Sequence, residues 1–378
     1  MQEASGKVQA LLEALDSTRD SAAEERGRLR IAAVYQGREA DCLPILFDVP
    51  AHDVVADTDL HEQFYSAEAM LVAHLRRVLA AAAVPQDGQY CIRPNLGVVL
   101  VPSVFGLEPD VPHDAMPRLR AHLNKDQVKR FRLPQDVSQC GLVRRAIEYI
   151  NYFRQVLEGR VHVYVPDTQG VFDIAHLILG NAIFYELYDD PEFVHQLLDL
   201  CLEAYVQVTI ALKHALDEPL EGGYHGHGMV AGIYMASGGA RSSEDAATLL
   251  RPEHIDEFVI PYLAKALRTF GGGFVHYCGR NDHLFRALLA LPEVRGINLG
   301  NPEMHDPAYC VRALQTHGKF YFGSWPRLPG ETLKSYLKRM LDLTSGERKG
   351  MIFLLTPREL GRDSPEEAIR LWRELQEA

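Results

Sequence analysis

The C-terminal third of the chain alternates short, uninterrupted apolar runs with amphipathic stretches. Gly273 to Cys278, Gly296 to Leu299, Lys319 to Gly323 and Met351 to Leu355 are such runs, and helical patterns over about 281–291, 307–317, 330–344 and 364–377 follow them in turn. A continuous apolar run marks a strand buried on both faces, as in a parallel sheet covered by helices. The last helix shows the complementary pattern. Ala368, Leu371, Trp372 and Leu375 recur at i, i+3, i+4 and i+7 behind Asp363-Ser364-Pro365-Glu366, a cap with proline at the first helical position. Upstream, Val194, Leu197, Leu198, Cys201, Tyr205, Val208 and Leu212 predict a long helix opened by Asp190-Pro191-Glu192. Val161 to Val165, Leu96 to Val101 and Leu43 to Phe47 read as earlier strands, and Tyr224 to Tyr234 as an eighth.

Strands alternating with helices predict an α/β protein, a single (β/α)8 TIM barrel over residues 41–378 with an N-terminal helical extension over 1–40. A doubly wound sheet is the alternative, but no strand ends in a dinucleotide-binding glycine fingerprint; Gly223 to Gly228 has the wrong order for one. Residues 105–140, with Pro109, Pro112, Pro117, Pro134 and many charges, read as a surface excursion from the loop face.

Composition narrows the function classes. The 378 residues suit one large barrel, and 47% hydrophobic with 24% charged residues exclude wholesale disorder. A net charge of −12 without a basic stripe argues against nucleic acid. No apolar stretch reaches the ~18–20 residues of a spanning helix, and no signal peptide pattern opens the chain, so a cytoplasmic address is expected. Six cysteines are too sparse for a disulfide scaffold and read as reduced thiols.

In a barrel of this kind the active site lies at the C-terminal ends of the strands. His276-Tyr277-Cys278-Gly279 places an imidazole and a thiol at i and i+2, hence on one face of a strand end, which is the first half of many zinc sites. Glu303 in Gly300-Asn301-Pro302-Glu303 follows the end of the next strand, as a candidate oxygen ligand or general base or as a solvated loop carboxylate, and Thr356-Pro357-Arg358-Glu359 ends the last strand, as a site candidate or as a surface Arg358–Glu359 pair. His225 and His227, with Arg241 in the run Gly238 to Asp245, form a candidate ligand-contacting wall or a flexible rim. Asp167, in Val165 to Gly170, is a substrate contact or a turn former. Cys310 and the remaining cysteines read as packed thiols.

The chain resembles the uroporphyrinogen decarboxylase superfamily over roughly 40–378. The resemblance rests on Val165 to Gly170 with Phe172-Asp173-Ile174-Ala175, on Ser242 to Ala246, and on Leu250-Arg251-Pro252-Glu253 with Glu257 to Tyr262. His276 to Gly279 and Asp363 to Glu366 complete it. It implies a TIM barrel. The decarboxylases carry an Arg-x-Ala-Gly-Arg-Tyr motif for substrate carboxylates, and Leu43 to Pro50 has no arginine. The zinc-dependent corrinoid methyltransferases of the superfamily are more similar, because His276 and Cys278 match their first two zinc ligands. Their third ligand is a cysteine in a Pro-x-Cys-Gly turn; here Glu359 stands in that turn. Glu303 sits where a methionine synthase relative ends a strand with a glutamate ligand.

The resemblance thus implies a metal-dependent methyltransferase, the metal being a divalent ion such as zinc held by His276, Cys278, Glu303 and Glu359. His225, His227, Arg241 and Asp167 would shape the pocket, and the methyl transfer would be linked to a folate or to a corrinoid that a partner protein delivers. The partner class is otherwise a small-molecule substrate, with no membrane and a homodimer left open. Two alternatives stand beside it: a metal-free decarboxylase or lyase with Arg241 clamping a carboxylate, and a binding protein of altered catalysis.

Overall fold

The computed structural model describes residues 5–49 and 59–377. Two helices, Gly6–Thr18 and Ser21–Tyr35, open the chain, capped by Ser5 and Asp20. The second lies close against the loop before β2: a Cβ on Gly27 would stand 2.4 Å from the Asp87 carbonyl oxygen, so only glycine permits that approach.

The strands are β1 (Ile45–Phe47), β2 (Gln89–Ile92), β3 (Pro109–Asp110), β4 (Arg118–Leu119), β5 (His162–Val163), β6 (Gly223–His225) and β7 (Ala231–Met235). They continue with β8 (Ala240–Ser243), β9 (Gly273–Tyr277), β10 (Val294–Leu299), β11 (Phe320–Gly323) and β12 (Met351–Leu355). Six of these form one sheet in the order β1-β12-β11-β10-β9-β8, every neighbour parallel. The connections within it are helices, among them Ile260–Thr269, Asp282–Ala290, Pro307–Thr316 and Leu333–Asp342. A second sheet runs β5-β2-β7-β6; β2 and β5 are parallel, while β7 lies antiparallel to both β2 and β6. The two sheets meet at Asp87, whose N–H donates to the Ile45 carbonyl at 2.9 Å while its carboxylate accepts from Ile45 N–H at 3.0 Å. Among the described residues no single helix is long and apolar enough to cross a membrane.

The α/β class and the parallel sheet agree with the sequence pattern, and the four C-terminal strands and their helices lie where the apolar runs place them. Two early strands do not. Residues 96–101 form no strand: Gly97–Val99 and Pro102–Phe105 are short 3-10 turns, because Gly97 takes a φ of +69° and Pro102 starts the next turn. The strand of that region is β2, earlier in the chain. Residues 224–234 are not one strand but an antiparallel hairpin, and the parallel partner of β9 is instead β8, a polar Ala-Arg-Ser-Ser segment. Within 105–140 lie the β3–β4 pair and a helix, Lys125–Arg130, closed by an Asn124–Gln127 capping box.

The last helix, Pro365–Glu377, is locked on the sheet by Trp372. Its ring stacks on Phe353 with centroids 4.4 Å apart, and its indole N–H donates to the Leu43 carbonyl at 2.8 Å. The side chain is fully buried. Trp372→Ala removes this contact and leaves the Leu43 carbonyl only the weak donor of the Cys42 thiol at 3.5 Å, so a loss of about 3–5 kcal/mol in urea unfolding is expected.

Candidate active site

His276 sits on β9 with its cross-strand neighbours fixed by parallel register, Ser243 on one side and Asn298 on the other. Asn298 donates through Nδ2 to the Phe322 carbonyl at 2.6 Å, which turns its Oδ1 toward His276 Nδ1 at 2.5 Å. An oxygen facing Nδ1 requires the imidazole proton there, so Nε2 carries the free lone pair. That nitrogen lies 3.4 Å from Cys278 Sγ and 3.6 Å from Asp245 Oδ1. Asp245 is held in turn, its Oδ1 accepting the Cys278 backbone N–H at 2.6 Å.

Bond lengths of ~2.0–2.3 Å from a tetrahedral zinc to N, O and S donors put neighbouring donors about 3.3–3.6 Å apart. The two distances above match that spacing, and the three donor atoms lie within 4.8 Å of one another. The chemistry fits as well: one imidazole, one thiol and one carboxylate converge, a donor set that suits a divalent ion. Burial, with the nearby Asp245 carboxylate, pushes the Cys278 thiol up to about 11, while burial and the Arg241 charge lower His276. Gly300 makes the space for the thiol. A Cβ there would stand 2.4 Å from Cys278 Sγ and 3.1 Å from His276 Cε1.

A polar wall continues from this cluster. The His227 ring lies 4.6 Å from that of His276, and His225 Nδ1 accepts the His227 backbone N–H at 3.0 Å. Burial, then Arg241, holds both imidazoles well below their usual range, so they are neutral. His227 and Gln169 adopt left-handed φ of 49° and 60°, a strain of ~1–3 kcal/mol each that concentrates at functional sites. Arg241 Nη1 donates to Asp167 Oδ1 at 2.9 Å, and Arg93 approaches Asp167 Oδ2 at 3.6 Å. Beneath them, Asp173 accepts the N–H groups of Asp245 and Ala246 at 2.8 Å. Burial, reinforced by Asp245, pushes the Asp173 carboxyl up to about 7. Glu244 is buried and raised for the same reason, with Asp173 as its charged neighbour; Ser242 Oγ donates to it at 2.9 Å.

The structure therefore gathers His276, Cys278, His225, His227, Arg241 and Asp167 at one end of the sheet. Glu303 and Glu359 do not join the donor cluster. Glu303 is exposed, with Asn301 Nδ2 at 3.4 Å, and Glu359 is buried where it accepts from Thr356 Oγ1. Asp245 stands in their place. Its signal was present in the Ser-Ser-Glu-Asp run, but that run reads as a loop rim when β8 is not recognised as a strand. Asn298 was legible as the one amide in an apolar strand. Arg93 follows β2, which the apolar pattern placed too late in the chain.

Comparison with known proteins bears on this arrangement. Residues 29–215 match the model of the uroporphyrinogen decarboxylase (URO-D) family. This matched stretch covers just under half of the chain. It carries Arg93, Asp167 and Asp173, and the donor cluster follows it. No curated protein matches the chain. Among solved structures, a methyltransferase from Methanosarcina mazei is similar at a TM-score of 0.63 and 15% sequence identity, over 93% of this chain and 98% of that one. At that identity the likeness shows a shared fold.

The Asn298 crosslink makes a direct prediction. In nitrogen-resolved NMR of histidine, His276 shows the Nδ1–H tautomer, and Asn298→Ala shifts it toward Nε2–H while costing about 1–3 kcal/mol. An unchanged tautomer would refute the assignment.

Proposed function

We propose that the chain is a metal-dependent methyltransferase acting on a small molecule, with His276, Cys278 and Asp245 as the metal ligands. One observation carries the reading: a thiol sulfur and a carboxylate oxygen lie 3.4 and 3.6 Å from a free imidazole lone pair, the spacing of donors around a tetrahedral ion, and all three lie within 4.8 Å of one another. The likeness to a methyltransferase supports the reaction class. The URO-D match supports an enzyme of that superfamily. The accompanying fold is a closed (β/α)8 barrel over 41–378, with β1, β2, β5 and β8 to β12 as its staves and 1–40 as a helical extension.

Bound at these donors, a divalent ion such as zinc supplies Lewis acidity that favours the deprotonated form of an acceptor or leaving group. The protein's own part is positional. Asn298 keeps His276 Nε2 aimed at the site, Gly300 leaves the thiol its place, and Asp245 is pinned by the Cys278 N–H. Glu244 and Asp173 hold protons close to the reacting end, and His227 walls it off. A corrinoid delivered by a partner protein would supply or take up the methyl group, and a cytoplasmic setting would keep Cys278 reduced.

The substitution of a carboxylate for a second thiolate makes the donor set harder, which favours an oxygen- or nitrogen-bound substrate over a thiol. The test is metal analysis of protein purified without chelators. About one divalent ion per chain is expected, with Cys278→Ser and Asp245→Asn each losing it and Asn298→Ala weakening it by roughly 10–100-fold. Glu303→Gln and Glu359→Gln should retain it. A metal-free protein, or full occupancy in Cys278→Ser, would sink the reading.

A further inference from the structure

Arg93 and Arg241 share a single carboxylate. Both guanidiniums are nearly buried, with side chains 12% and 8% exposed, and Asp167 is the only acid paired with either among the described residues. Asp167 has little left to give. Its Oδ1 already accepts from Arg241 Nη1, from Gln169 N–H at 3.1 Å and from Gln169 Nε2 at 2.7 Å. Its Oδ2 stays 3.6 Å from Arg93, beyond a hydrogen bond. Arg241 Nε is buried with no partner, and so is His227 Nδ1 beside it.

The other acids nearby are engaged elsewhere. Asp173 receives two backbone N–H groups, Glu244 receives Ser242, and Asp245 receives Cys278 N–H. Two guanidiniums thus share one carboxylate that hydrogen-bonds only one of them, which leaves Arg93 without an acceptor at hydrogen-bond distance among the acids of the described residues and Arg241 Nε without a partner in a poorly solvated place. A buried charge in that position calls for a counter-ion. The guanidinium fork, planar and bidentate, matches a carboxylate in shape, and a carboxylate supplies the acceptors that these donors lack.

We propose that Arg93 and Arg241 form an anion subsite that seats a carboxylate of the substrate, on the same polar wall as His227, whose ring packs against His276. The subsite deepens the proposed site by naming a substrate class, a small carboxylic acid, and it stands whether or not the donor cluster holds a metal. Asp167 is then the positioning residue that splays the two forks and limits the charge they present.

The experiment titrates the full-length chain, both as purified and after chelation, with acetate, acetamide and methanesulfonate, followed by calorimetry or ligand-observed NMR. Acetate should bind both forms alike and about tenfold or more tighter than acetamide, the mark of a charge-assisted bidentate contact. Arg93→Gln should erase that preference and Arg93→Lys should keep part of it. Asp167→Asn, which frees both forks, should tighten acetate several-fold, a gain that misfolding cannot mimic. Acetate binding no better than acetamide, or binding only when metal is present, overturns the subsite. So does an unchanged preference in Arg93→Gln. Methanesulfonate binding as tightly as acetate overturns the assignment to a carboxylate. None of these outcomes alters the metal content, so the subsite can fail without the metal reading failing, and the reverse.

Discussion

The site depends on the parallel register of three strands. Because β8, β9 and β10 run in step, Ser243, His276 and Asn298 stand side by side, and the residues just beyond them reach the same end of the sheet. Asn298 then spans from His276 to the backbone of β11, so four strands hold one imidazole. A slip of one residue would turn His276 to the opposite face and carry Cys278 with it. The backbone N–H of Glu244 pins this register again by donating to the His276 carbonyl at 2.9 Å.

The same end of the sheet concentrates polar groups that an ordinary core would reject. Two arginines, two neutral histidines, Asp173 and Glu244 are all withdrawn from water, and each is tolerated for a different reason. The arginines are divided by Asp167, the histidines shed their charge, and the acids are drawn toward their protonated form. Burial raises a carboxyl and lowers an imidazole, so it favours protons on the acids and removes them from the rings. The result is a pocket wall of fixed dipoles and few free charges. Its stability comes from elsewhere, from apolar contacts such as Trp372 on Phe353 and from the closely packed helices around the sheet.

How much of this could be read from the chain follows from burial. Strands β9 to β12 were legible because both their faces are covered, which forces unbroken apolar runs. The pair His276 and Cys278 was legible because alternation along a strand is a local rule. β8 was not, since its inward face is lined with Arg241 and Ser243 for chemistry, and a polar strand imitates a loop. β2 was masked by the more apolar segment after it, where Gly97 and Pro102 impose turns. Asp245 as a partner for His276 is a tertiary fact: it follows the neighbouring strand β8, and no spacing within the sequence encodes the meeting.

The β6–β7 hairpin has a different standing from the rest of the wall. It carries His225 and His227, yet it is held by antiparallel pairing to β2 at Gln89 and Tyr90, outside the six-stranded sheet that aligns His276. Its length and side chains can therefore change without disturbing that alignment. The six strands act as a chassis and the hairpin as an exchangeable insert, so a descendant of this chain could acquire a new substrate by rebuilding one hairpin while its donor atoms stay where they are.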